Sequence, residues 1–242
     1  MIQNLNQQNN NYWQNYKSGE IPTVPQNFPE ELLKKVNGPI LDVGVGDGIL
    51  AEQLAFKGFD VYGIDIAKNI ISENLRRQSR VKYSIQDVTS KTTFLSNFFS
   101  LIIFRFTLTN IHKESWKKLS HEVVRILKPS GMVWMLEPLV SESYKKRYGL
   151  AVNFVKDKNC VYVFKDKELA NKINSKNDLE KAIYENQVSR IVKHYTVEEL
   201  KNIFNKLRLI DHRTIKVISP SGYVLNTFEG IFLKNTSPRK MF

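Results

Sequence analysis

Ile40-Leu41-Asp42-Val43-Gly44-Val45-Gly46-Asp47-Gly48 is a short, largely apolar run that passes directly into a turn with a glycine at every second position. Apolar residues at helical spacing follow over Ile49–Lys57, and Gly58 stands where a left-handed stop is expected. Strand, glycine turn and helix in that order make a binding element. Glycine lets the backbone adopt positive φ and lets a ligand lie directly against it. The N–H groups at the helix start favour an anionic or carboxylate-bearing ligand. A dinucleotide fingerprint, G-x-G-x-x-G counted from Gly44, requires a third glycine at 49, but that position is Ile49. The glycine falls at Gly48 instead, so the pattern from Asp42 is D-x-G-x-G-x-G. A phosphate-binding P-loop is excluded because no Gly-Lys-Ser/Thr follows.

Outward from this turn, short apolar runs alternate with helical ones. Val61–Ile64, Val81–Ile85, Leu101–Phe106 and Met132–Leu136 read as strands, most of them too continuously apolar for a half-exposed antiparallel sheet. Ile70–Arg77 and Glu114–Leu127 read as helices, and Pro129-Ser130-Gly131 as the turn into the fifth strand. The alternation predicts an α/β fold, a mostly parallel sheet with helices on both faces. Asp65 ends the second strand, about 20 residues beyond Gly44, where a carboxylate can accept hydrogen bonds from both hydroxyls of a ribose. Asp87 ends the third strand, Ser84–Val88, and adds another acid at the same sheet edge.

The flanks break the rhythm. Residues 1–38 form an Asn/Gln-rich arm carrying Tyr12, Trp13 and Tyr16, then Pro22, Pro25 and Pro29, with a helix over Glu30–Val36. Residues 39–140 make the core, and 141–195 a Lys-rich insertion after strand five with a strand-like run, Val161–Phe164, and a helix-like one, Asp178–Asn186. Residues 196–236 open on Thr196 as an N-cap and finish as two strands, Leu209–Val217 and Val224–Leu233, joined through Ser219–Gly222. At 242 residues, 42% hydrophobic, the chain suits one elaborated globular domain. Its net charge of +12 concentrates after residue 140, where 20 Lys/Arg face 11 Asp/Glu. Such a surface attracts nucleic acid or an anionic small molecule, although scattered lysines equally make a solvated surface. The single Cys160 excludes an internal disulfide and a cysteine-based zinc cluster, so no metal site is expected. With no membrane-length apolar run and no signal-peptide core in Met1–Tyr16, a cytoplasmic protein without membrane partners is expected.

Over residues 38–140, and more loosely 195–234, the sequence resembles the class I S-adenosylmethionine (SAM)-dependent methyltransferases. The glycine turn, Asp65 and the stretch from Asn110-Ile111-His112-Lys113 through Arg125-Ile126-Leu127-Lys128-Pro129-Ser130-Gly131 carry the resemblance, with Ser130 replacing a glycine of the family's turn. It implies a Rossmann-like seven-stranded sheet with SAM across the carboxyl ends of the first strands and S-adenosylhomocysteine as product. Gly44, Gly46 and Gly48 would face the methionine and ribose, assisted by Asp42. Asp65 would hold the ribose, Asp87 the adenine amino group, and Ile66 and Val88 the ring, with Arg105 beside the donor. Trp13 and Tyr16 would close as a lid, since an aromatic face suits a sulfonium; the alternative is an arm merely anchored to the core.

Methyl transfer to oxygen or nitrogen calls for alignment and, in some cases, a base. His112, just past strand four, is the first candidate and His194, at the end of the insertion, the second; a surface histidine at a helix entry is the alternative for His112. His121 and His212 are expected to be structural or exposed. Phe106-Thr107-Leu108-Thr109 stands where amino-adenine or amide-nitrogen methyltransferases carry an Asn/Asp-Pro-Pro-Tyr/Phe motif. A small-molecule acceptor, a metabolite or natural-product intermediate, is therefore expected. An RNA (tRNA or rRNA) methyltransferase and a non-catalytic SAM-binding subunit are the rival readings.

Overall fold

The computed structural model describes residues 12–15, 28–140, 160–218 and 224–236. Tyr16, the prolines at 22 and 25, most of the arm, residues 141–159 and the Ser219–Gly222 turn lie outside them. Five strands, β1 (Ile40–Val43), β2 (Val61–Asp65), β3 (Lys82–Ile85), β4 (Phe99–Arg105) and β5 (Leu127–Pro138), join β8 (Arg208–Ile218) and β9 (Val224–Leu233) in one sheet. Its order is β3-β2-β1-β4-β5-β9-β8. β1 to β5 are parallel, while β9 runs antiparallel to both β5 and β8. The mostly parallel α/β sheet expected from the alternating pattern is therefore present, with the seven strands that the family resemblance implies.

The continuous apolar runs sit at the centre because helices cover both faces. On one face Leu119, Val123 and Ile126 of the helix Trp116–Ile126, with Leu200 and Ile203 of Val197–Ile203, pack on Val43, Phe104, Val133 and Met135. On the other, Leu50 and Leu54 of the helix Ile49–Phe56 pack on Ile40, Val61, Ile103 and Trp134. Each such fully buried side chain contributes about 1.5–3 kcal/mol. The indole Nε1 of buried Trp134 donates to Glu229 Oε1 at 3.1 Å, and Arg213 pairs with the other oxygen, tying the terminal hairpin to the core.

The motif after the long helix has a structural explanation. Burial would raise the Glu122 carboxyl, but hydrogen bonds from Arg125 and Thr92 hold it below its ordinary range. Lys234 Nζ caps the helix end by donating to Val124 O and Leu127 O. The helix stops at Ile126 and starts at Trp116 after a 3-10 turn over Lys113–Ser115, slightly shorter than its periodicity predicts. Ser130 sits at φ 59°, a left-handed conformation held by its N–H donating to Lys234 O at 3.0 Å. A Cβ is costly there, so Ser130→Gly is expected to stabilise the protein by about 0.5–1 kcal/mol in chemical denaturation.

The described part of the insertion builds a sheet of its own, β6 (Cys160–Phe164) against β7 (Val188–Lys193), with a separate core of Tyr162, Phe164, Leu179, Ile183 and Ile191. The helix inside it spans Lys176–Tyr184 rather than Asp178–Asn186, because Ser175 and Asp178 form a reciprocal capping box. β7 is absent from the sequence reading. Among the described residues, no helix is long and apolar enough to cross a membrane.

Candidate functional site

Chain direction across the sheet reverses between β1 and β4, the place where open α/β sheets leave a crevice at their carboxyl ends. The glycine turn lies there. Gly44, Gly46 and Gly48 all take positive φ, at 66°, 54° and 76°. Their reasons differ. A Cβ on Gly44 would meet the Thr107 side chain at 2.5 Å, and one on Gly48 would strike the Tyr83 hydroxyl, whereas one on Gly46 would meet nothing closer than Gly44 O at 4.0 Å. Two glycines are thus demanded by packing within the protein, and the third leaves an open face.

Three side chains hold this turn from outside it. Thr107 Oγ1 donates to Val43 O at 2.8 Å, Asn74 Nδ2 donates to Gly46 O at 2.8 Å, and Arg77 Nη1 donates to Asp47 O. None was singled out in the sequence, although Asn74 had a signal: it is the polar member of a buried Ile70, Ile71, Asn74 face at helical spacing.

Asp65 ends β2 with Oδ2 accepting from Gly46 N at 3.2 Å and Oδ1 from Ala67 N at 2.9 Å. Burial raises its carboxyl and these backbone bonds oppose the rise. Asp42, inside β1 and buried, is pushed up to about 7 by desolvation, with Arg105 at the end of β4 pulling it down and Asp65 and Asp47 adding to the rise. Three carboxyls thus surround an open glycine face, a setting that attracts hydroxyl donors and cations.

The remaining candidates are less uniform. β3 ends at Ile85, so Asp87 follows the strand, exposed, and its Oδ1 accepts from Thr89 N and Thr89 Oγ1. Ile66 is partly exposed beside Asp65, while Val88 is buried among core residues, so Ile66 offers the larger apolar surface to a ligand. Trp13 stacks edge-on with Tyr12 and packs against Ala67 and Ile70, beside Asp65. Tyr16 lies outside the described residues.

Beyond β4, His112 Nδ1 pairs with the Glu114 carboxylate in a partly exposed position. His194 is buried, with Nδ1 at 3.2 Å from Leu139 O. His121 and His212 are exposed. Sequence reasoning also passed over Glu137, at the end of β5, whose Oε1 accepts from Thr107 N at 2.8 Å and Leu108 N at 2.9 Å. Full burial pushes its carboxyl up to about 8 against those bonds. Its signal was an acid closing an otherwise apolar strand.

A family described as a methyltransferase domain matches residues 40–131, from the start of β1 through the post-β4 helix into the first residues of β5. Residues 40–131 are therefore a methyltransferase domain, set in a Rossmann-like seven-stranded sheet. The chain is similar to a ubiquinone biosynthesis O-methyltransferase of Hydrogenovibrio crunogenus, 27% identical over 62% of this chain and 64% of that one. It is also similar to a demethylmenaquinone methyltransferase of Renibacterium salmoninarum, 30% identical over 40% of each chain. The match therefore spans less than two thirds of either relative. Among solved structures, a SAM-dependent methyltransferase of Methanosarcina mazei superposes with TM-score 0.70 at 19% identity, over 88% of this chain and 100% of that one. A 1,6-didemethyltoxoflavin-N1-methyltransferase of Burkholderia thailandensis gives 0.56 at 13%, over 85% and 74%. At these identities the structural likeness speaks for the fold.

A methyltransferase domain implies SAM as its cofactor, and the residues present fit that group. The open Gly46 face accommodates a chain lying against the backbone, the Asp65 carboxylate beside it is an acceptor suited to a diol, and the buried Asp42 carboxyl would ionise more readily against a cationic group. Ile49 in place of a third dinucleotide glycine agrees with this choice.

Proposed function

We propose that this methyltransferase moves the methyl group of SAM to an oxygen or nitrogen of a small-molecule acceptor, leaving S-adenosylhomocysteine. The observation that carries the reading is the open Gly46 turn flanked by Asp42 and Asp65 with the His112–Glu114 pair beyond β4. Relatives named for methylating small molecules, a ubiquinone-biosynthesis O-methyltransferase and a toxoflavin-precursor N1-methyltransferase, support the acceptor class.

SAM supplies an electrophilic methyl on a sulfonium when bound. The chain's own work is alignment and proton management. Gly44, Gly46, Gly48 and Asp65 fix the donor, Asp87 and Ile66 take the adenine, and Asp42 with Arg105 sets the charge beside the reacting end. Trp13, packed against Ala67 and Ile70, covers the Asp65 side of that site with its aromatic face. Residues 141–195 recognise the acceptor. Glu114 lies against Nδ1 of His112, and the His112 imidazole takes the acceptor's proton as the methyl arrives. His194, bonded at Leu139 and buried, anchors the end of β5.

Incubation with methyl-labelled SAM and separate small-metabolite and total-RNA fractions tests this reading. Label in a small molecule is expected; label confined to RNA, or no transfer at all, would overturn it. With the labelled acceptor in hand, His112→Ala is expected to lower kcat about a hundredfold with SAM affinity unchanged, whereas full activity would return His112 to a surface position at a helix entry.

A further inference from the structure

Phe106 is bulky, not glycine, yet it takes φ 54° at the point where β4 ends. A side chain in the left-handed region persists only where its surroundings over-determine it. They do so at Phe106. Its N–H donates to Leu136 O at 2.9 Å, and its carbonyl accepts from Thr109 Oγ1 at 3.2 Å and Asn110 Nδ2 at 3.4 Å. Its neighbours belong to the donor side: Arg105 acts on Asp42, and Thr107 packs over Gly44.

The held backbone directs the ring to a junction. Phe106 packs against the cluster containing Ile103, Trp134 and Leu136, and also against a second cluster made by Val163 of β6, Val192 of β7 and Leu225 of β9. The insertion hairpin therefore meets the central sheet at this ring. Phe106 and Val163 are only partly buried, while Val192 and Leu225 are buried. The four side chains gathered at this junction, Phe106, Val163, Val192 and Leu225, are all apolar, and the Phe106 ring gives it an aromatic face. A small charged amine would lose hydration there without compensation, whereas an uncharged ring would stack.

We propose that Phe106 determines acceptor specificity, its ring forming with Val163, Val192 and Leu225 the wall that selects an uncharged aromatic acceptor over a small charged amine. This rests on the methyltransferase reading of the same site. The post-β4 turn would then serve twice, closing the glycine turn through Thr107 and facing the acceptor through Phe106.

Binding of 2-naphthol to the protein saturated with S-adenosylhomocysteine, followed by naphthol fluorescence with ethanolamine as the charged comparison, tests the proposal. Saturable naphthol binding unaffected by ethanolamine is expected. Phe106→Gly, which removes the ring and relieves the positive φ, is expected to weaken it about tenfold with S-adenosylhomocysteine affinity retained, and Phe106→Tyr to preserve it. Should Phe106→Gly fail to fold, Val163→Thr, which keeps the shape and makes the wall polar, is expected to weaken naphthol in the same direction. Naphthol binding that ignores these substitutions, or its absence from the wild-type complex, would overturn the proposal and leave the donor reading standing. Failure of S-adenosylhomocysteine itself to bind would instead sink the donor reading.

Discussion

Asp65→Ala is expected to weaken SAM binding about a hundredfold, because it removes a carboxylate that can make two charge-assisted hydrogen bonds, each contributing about 1.5–3 kcal/mol. The folded protein should lose much less. Within the chain the same carboxylate accepts from backbone N–H groups, those of Gly46, Ile66 and Ala67, at a partly exposed edge where water can replace it. A cost of about 1 kcal/mol in denaturation is expected. Asp65→Asn separates charge from geometry: it keeps an acceptor oxygen for the backbone and should fall between wild type and Ala in affinity. Calorimetric titration of the three proteins reads the series, and a dissociation constant equal in all three would remove Asp65 from the ribose.

Glu137 should produce the largest effect on stability, and a pH dependence of defined sign. Its carboxyl is fully buried, pushed up to about 8, and occupied through Oε1 by Thr107 N and Leu108 N. Between the ordinary carboxylate range and about 8 the folded state keeps the Glu137 proton while the unfolded chain has released it. Stability therefore falls as pH rises through that window and levels off above it, where both states are ionised. Glu137→Gln stays neutral and keeps the accepting oxygen, so it should match wild type near pH 5 and exceed it by on the order of 4 kcal/mol near pH 9. Glu137→Ala leaves two buried N–H groups without an acceptor and a cavity beneath the post-β4 turn, and should cost about 3 kcal/mol or more at every pH. Urea midpoints across pH measure both. A Gln variant that declines with pH in parallel with wild type would contradict the account.

The parts of this protein legible from sequence are those whose cause is local. Ile40–Val43 and Leu101–Arg105 announce central parallel strands because strands covered on both faces carry unbroken apolar runs. The glycine turn announces itself because positive φ selects glycine. Thr196 was legible as a cap, and the structure shows its hydroxyl accepting from Glu199 N with the Glu199 carboxylate returning to Thr196 N. What was not legible depends on distant partners. Gly44 and Gly48 owe their lack of a side chain to Thr107 and Tyr83, which only folding brings to them. The mixed polarity of Val188-Ser189-Arg190-Ile191-Val192-Lys193 makes a strand only through pairing with Cys160–Phe164. Glu137 reads as an acid at a strand end, and its role exists only because the turn at Thr107 and Leu108 folds over it. Phe106 reads as the end of the Leu101–Phe106 strand and as the absence of a different motif, since nothing in a sequence marks a phenylalanine for positive φ.

The central claim is that the turn from Asp42 to Gly48, with Asp65, takes SAM and not a nicotinamide dinucleotide. Isothermal titration of the wild-type chain with SAM, and separately with NAD, tests it most directly. Saturable binding of SAM at a single site per chain, with no saturable heat from NAD, is the predicted result. Saturable NAD binding with none for SAM, or no binding of SAM, would contradict it.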